Sequence, residues 1–144
     1  MSSFVDPDRS AFDYFKSLPR DKPIEMLNLV KLKDKASYPD GHEHAGKGLS
    51  GAEAYTEYGK ASGPIFDRVG GTIIWRGRMD AMVIGPADES WDACFIARYP
   101  NSGAFLEMVT DPQYQLAVIN RQSAVETSRL IRMNPAEIDG NNFG

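Results

Sequence analysis

Cysteine and histidine are almost missing from this 144-residue chain, which has one cysteine, Cys94, and two histidines, His42 and His44. A single cysteine excludes an intrachain disulfide and fits a reducing, cytoplasmic setting. Cys94 lies in the apolar stretch WDACFIARY and reads as a small buried hydrophobe. There is no second cluster of His, Cys or paired carboxylates at ligand spacing, so the two histidines alone do not make a metal site. No stretch approaches the ~20 apolar residues that span a membrane. The opening MSSFVDPDRSAF has aspartates where a secretory signal would carry an apolar run. A basic stripe is absent too: Lys31, Lys33 and Lys35 are interrupted by Asp34, which argues against nucleic acid as a partner. Glycine-rich dinucleotide and phosphate loops are lacking, as is a nucleophile in a strained elbow, so no cofactor is called for.

What is present describes an ordinary folded domain. Hydrophobic residues make up 42% and charged residues 25%, with a net charge of −4, far from a disordered composition. Residues 7–18 space Phe12, Phe15 and Leu18 along one helical face between Pro7 and Pro19. Residues 24–33, IEMLNLVKLK, are apolar on both faces, as in a strand covered on both sides. A loop, 34–50, carries the histidines. Ser50 and Glu53 form a capping-box pattern that opens a helix, with Tyr55, Tyr58, Ser62, Ile65 and Val69 in one stripe. Gly63-Pro64 predicts a kink or break in it, and Gly70-Gly71 its end. Residues 72–84 alternate, placing Ile73, Trp75, Met79, Ala81 and Val83 opposite Arg76, Arg78 and Asp80. A turn at 85–90 leads to a strand over 91–99, completing a hairpin. A short helix over 102–109 with Ser102 as N-cap is followed by one opened by Asp111-Pro112. A last strand covers 126–133. The Gly/Asn-rich tail is expected to fray or to drape over a neighbour.

This order predicts an N-terminal helical extension (1–23), a ferredoxin-like α+β domain with β-α-β-β-α-β order and an antiparallel sheet (24–133), and a C-terminal tail (134–144). Helices cover only one face of such a sheet, yet the first strand is apolar on both. A second sheet from another subunit would cover the other face, so a homodimer packed sheet to sheet is expected.

The stretch FIARYPNSGAFLEMVTDPQYQLAVINRQSAVETSRLIRM combines a strand, Tyr99-Pro100, a helix, Asp111-Pro112-x-Tyr114, Arg121 and a strand. With MLNLVKLKD and AYTEYGKASGPIFDRVGG it resembles domain-of-unknown-function family 1330, within the dimeric α/β-barrel superfamily. The resemblance covers roughly residues 24–133; the N-terminal helix and the 34–50 loop depart from the short family members. That superfamily includes isomerases, cofactor-independent monooxygenases, haem enzymes and proteins of no known activity, so the resemblance implies the fold more than the function. An axial haem histidine would stand on a helix or strand at the pocket. Neither His42 nor His44 does, and haem is not expected.

Four groups of residues remain as candidates. His42 and His44, at i and i+2, project the same way in an extended segment; they serve an exposed loop, a lid offering one imidazole to a ligand, or a metal. Tyr114 and Arg121 are seven positions apart on one helical face. Were that face turned to the sheet, Arg121 could grip a carboxylate or enolate in bidentate fashion. It could instead answer the helix dipole or pair with Glu126. Asn28, between Leu27 and Leu29, needs hydrogen-bond partners if it points inward. Tyr55 and Tyr58 are core or pocket wall, and Arg76 and Arg78 could form interface ion pairs. Two functions follow. One is a cofactor-independent enzyme or binder for a small anionic or enolisable aromatic molecule. Arg121 and one of His42 and His44 would do the chemistry, with Asn28, Tyr58 and Tyr114 holding the ligand. The other is a non-catalytic dimeric module whose partner is a protein.

Overall fold

The apolar spacing at the start of the chain forms α1, Arg9–Ser17, in the computed structural model, which describes residues 3–144. Asp8 caps it by accepting from the Ala11 N–H at 2.7 Å. Only Phe12, Phe15 and Leu18 of this stretch are half-buried, and no residue of α1 is fully buried. Then follow β1 (Ile24–Leu32), α2 (Gly51–Arg68), β2 (Thr72–Gly77), β3 (Ala93–Tyr99), α3 (Ser102–Thr110), α4 (Pro112–Ala124) and β4 (Val125–Met133). The strands form one antiparallel sheet in the order β2-β3-β1-β4, the ferredoxin-like arrangement.

Local chemistry accounts for the helix starts. Ser50 and Glu53 close the capping box on α2, each side chain taking the other's backbone N–H at 3.0 Å. Asp111 caps α4, with Pro112 at the first helical position. At α3 the cap is Asn101, one residue before the expected Ser102. Ser102 is instead fully buried and donates to the Pro19 carbonyl at 3.2 Å. Gly51 is dictated by space: a Cβ there would stand 2.0 Å from the Lys33 carbonyl oxygen. The end of β1 and the start of α2 therefore touch backbone to backbone, and a Lys35–Ser50 bridge closes the base of the 34–50 loop.

Two expected boundaries are corrected. The strand predicted over 72–84 stops at Gly77. Its partner β3 begins at Ala93, and the preceding Asp92 turns to β1 instead, its N–H donating to Val30 and its carboxylate accepting from Leu32. With no ladder partner, alternation alone does not make a strand, and Val83 and Ile84 are left almost fully exposed. Conversely, α2 runs through Gly63-Pro64 without a break. Pro64 and Lys60 both lie on the exposed side, so the carbonyl that proline leaves unpaired faces solvent.

Register separates the two faces of the sheet. Ile24, Met26, Ala97 and Tyr99 turn inward and pack on Ile65, Val69, Phe105, Met108 and Tyr114 of the helices. Leu27, Leu29, Ile96 and Ile131 share the opposite face, which no helix covers. Trp75, Ile131 and Met133 keep 52%, 42% and 46% of their surface in solvent, a large apolar surface for a lone domain.

Candidate functional site

Cross-strand register builds the floor of a cleft on the helix side of the sheet. Arg76, Phe95, Asn28 and Leu130 stand in one row across all four strands. Ile73, Ala97, Met26 and Arg132 form the row beside it. Tyr55, Tyr58 and Ser62 of α2, Tyr114, Val118 and Arg121 of α4, and Phe12 and Phe15 of α1 make the walls. The connected space, which also touches Cys94, Arg129 and Ile131, measures about 1700 Å³. It stays open toward β2, where Ile73 and Arg76 are exposed.

The walls are polar at a few defined points. The Tyr58 and Tyr114 hydroxyls meet at 2.8 Å, tying α2 to α4. Burial pushes the phenols of Tyr114 and Tyr55 well above their ordinary pKa, and the neighbouring Arg121 charge opposes the shift at both. Both tyrosines are therefore neutral hydrogen-bond donors at physiological pH, and the hydroxyl of Tyr55 makes no hydrogen bond among the described residues. Asn28 lines the floor, its amide nitrogen donating to the Met26 carbonyl at 3.0 Å.

Arg121 neither pairs with Glu126 nor merely answers the helix dipole. Glu126 is held by Lys31 at 3.5 Å. The Arg121 guanidinium donates to the Val5 carbonyl and, at 3.1 Å, to the Ser128 hydroxyl. Arg76, Arg121 and Arg132 all line the cleft, and none has a carboxylate partner among the described residues. Arg132 donates to the Phe15 and Pro19 carbonyls and lies over the Phe15 ring. The cleft is thus mostly apolar, studded with cations and neutral donors. Cations and neutral donors in an apolar setting have the chemistry to accept an aromatic ring and an oxyanion.

The structure brings Asn28, Tyr58, Tyr114 and Arg121 together and places His42 and His44 elsewhere. Neither histidine lines the cleft. His42 stacks on Tyr38 with ring centres 4.6 Å apart, and His44 meets the same ring edge-on at 5.3 Å. The His42 Nδ1 accepts the His44 N–H at 3.0 Å, and Tyr38 anchors the group by donating to the Asn120 amide oxygen at 2.6 Å. Among the described residues, no three His, Cys, Asp or Glu side chains gather to hold a metal. Sequence reasoning missed Arg132 and the backbone of Phe4 and Val5. The inward side of β4 could have revealed Arg132, whereas a main-chain carbonyl carries no sequence signal.

Comparison with known proteins fits this architecture. A family model, the domain of unknown function DUF1330, matches residues 49–134. The chain belongs to that family. The match takes in α2 through β4, the part that supplies Tyr58, Tyr114 and Arg121. The chain is similar to RPA0582, a protein of unknown function from Rhodopseudomonas palustris. They share 48% identity over 95% of this chain and 100% of that one, with a TM-score of 0.88. It also resembles a dabb family protein with a ferredoxin-like fold from Mesorhizobium loti, at 17% identity, a TM-score of 0.53, and 80% and 98% coverage. SnoaB, a cofactor-independent oxygenase from Streptomyces nogalater, is 13% identical with a TM-score of 0.50, over 81% of this chain and 96% of that one. The last two likenesses establish the fold alone. No curated protein matches. Among the described residues, no helix is long and apolar enough to cross a membrane.

Proposed function

We propose that the chain is a cofactor-independent binder or enzyme for a small anionic aromatic molecule, held in the cleft between the helices and the sheet. One observation carries the reading: Arg121, a cation beside buried Tyr114 and half-buried Tyr55, has no carboxylate partner among the described residues and lines an open cleft. Its two acceptors, the Val5 carbonyl and the Ser128 hydroxyl, are neutral and leave its charge uncompensated, a role that a ligand carboxylate or enolate would fill. Tyr55 offers a free donor nearby, the Tyr58–Tyr114 pair a second, and Asn28 an amide on the floor. In this reading the tyrosines act as donors that stabilise developing negative charge, as an isomerase- or monooxygenase-like reaction through an enolate requires. The histidines take no part. The open cleft supports this reading over a purely structural module, which would fill the space with its own side chains.

The assembly we propose is a homodimer. The apolar face of Leu27, Leu29, Trp75, Ile96, Ile131 and Met133 meets its equivalent on a second copy, which leaves the cleft on the outer side of each sheet.

The test is calorimetric titration of the full chain with 2-naphthoate and with its carboxamide. The carboxylate is expected to bind and the neutral amide to bind far less. Arg121→Ala should weaken 2-naphthoate by roughly ten- to a hundredfold, the loss of a charge-assisted hydrogen-bond pair. Equal binding of acid and amide, or an Arg121→Ala variant that binds like the parent, would remove the reading.

A further inference from the structure

The cation of the cleft is engaged by the chain itself. Arg121 donates to the Val5 carbonyl with one terminal nitrogen and to Ser128 with the other. The Ser128 hydroxyl donates in turn to the Phe4 carbonyl at 2.8 Å. The Phe4 N–H donates to the Thr127 Oγ1 at 3.1 Å, and the Gln122 amide reaches the Asp6 carboxylate at 3.2 and 3.3 Å. Residues 4–6 thus lie across the end of α4 and the start of β4, where they form part of the cleft lining. These ties are polar and join the segment to buried Thr127 and Ser128, with Arg129 lying over the Phe4 ring. Asp6 and Phe4 are exposed, and the following α1 has no fully buried residue. A segment so held opens at low cost compared with the core.

The Val5 carbonyl is a neutral acceptor on a permanently charged donor. A carboxylate brings an opposite charge and two acceptor oxygens, and so can hold a guanidinium in bidentate fashion where a carbonyl makes one bond. We propose that residues 4–8 form a displaceable strap whose Val5 carbonyl holds the place of the ligand's carboxylate on Arg121. An anionic ligand enters by taking Arg121 from Val5, and the strap lifts from Thr127 and Gln122 as it does so. This rests on the reading of the cleft as an anion site. It adds a property of that site: the measured affinity is the intrinsic affinity reduced by the fraction of molecules with the strap open.

The test loosens the strap and leaves Arg121 and the tyrosines of the cleft in place. Thr127 shares a sheet face with Lys31, away from the helices, and does not line the cleft. Thr127→Val in the full chain removes the oxygen that receives the Phe4 N–H. Gln122→Ala, at an exposed position, separately breaks the tie to Asp6 with no change of charge and serves should the buried change disturb folding. Each variant should bind 2-naphthoate about fivefold more tightly, the population shift from losing one ordinary hydrogen bond on the closed side. If the parent binds 2-naphthoate and neither variant binds it more tightly, the strap is overturned while the anion site stands. If parent and variants all fail to bind it, the anion site falls and the strap with it.

Discussion

The hydroxyl oxygens of Tyr58 and Tyr114 stand 2.8 Å apart, and their rings cross at 73° with centres 6.2 Å apart. That contact joins the middle of α2 to the first turns of α4 and sets the spacing of the two helices that wall the cleft. Tyr58→Phe leaves the hydroxyl of Tyr114, only 7% exposed, without its partner. The expected cost is about 1 kcal/mol in urea denaturation. The double variant Tyr58→Phe/Tyr114→Phe should cost less than the sum of the two single changes, because no orphaned hydroxyl remains. Strict additivity would show that the hydroxyls act independently.

Alkaline pH should unfold the protein through its tyrosines. Burial raises the phenols of Tyr55, Tyr99 and Tyr114 above the ordinary value of 10.0. Below that value both folded and unfolded states keep these protons, and stability is constant. Above it the unfolded chain releases them while the folded chain does not, so stability falls as pH rises. The slope approaches about 1.4 kcal/mol per pH unit for each tyrosine that stays protonated. Urea midpoints from about pH 9 to about pH 11 measure it. A flat profile across that range would contradict the burial of the three phenols.

At position 51 a single methyl group should be costly. Alanine is the better helix former, and at an exposed site Gly→Ala would stabilise by up to about 1 kcal/mol. In Gly51→Ala the new Cβ would lie 2.0 Å from the Lys33 carbonyl oxygen. That distance forces the backbone of β1 and α2 apart. A net loss of about 1–3 kcal/mol is expected from overpacking, read as a lowered thermal midpoint. A variant as stable as the parent would mean that the two segments separate freely.

The open face of the sheet gives a prediction about mass. Ile131 pairs with Leu27 on that face and is 42% exposed in the single chain. Ile131→Glu should leave the fold intact and place a carboxylate in the middle of the proposed interface. Sedimentation equilibrium is expected to give twice the chain mass for the parent and the single-chain mass for the variant. A parent that sediments as one chain would rule out the sheet-to-sheet dimer.

The elements that the sequence announced are those whose signals are local. Phe12, Phe15 and Leu18 marked α1, Ser50 with Glu53 marked the start of α2, and Asp111-Pro112 marked α4 within a residue. Where pairing across the chain decides the outcome, the local pattern misled. Residues 78–84 alternate well enough for a strand, yet Asp92 commits to β1 and leaves them no partner. The cleft was legible through Tyr114 and Arg121, because seven residues of helix bring side chains to one face. Asn28 was visible as a polar residue in an apolar strand. The partner of Arg121 was not: a charged neighbour such as Glu126 is easily seen in a sequence, whereas the acceptor is the carbonyl of Val5. His42 and His44 drew attention as the only histidines. They stack on Tyr38 outside the cleft, a placement set by the anchor to Asn120 rather than by their own spacing.

The bonds from Arg121 to Val5 and from Ser128 to Phe4 span 116 and 124 positions. During synthesis, residues 4 and 5 leave the ribosome early and wait, unpaired, until the end of α4 and the start of β4 follow them out. β1 gains its first partner only with β3, and its second, β4, is made last. The helix-side wall of the cleft is consequently the last part of the molecule to close. A nascent chain stalled before residue 121 would leave β1 without β4 on its free edge and the cleft without the end of α4, a substrate for chaperones rather than a finished binding site.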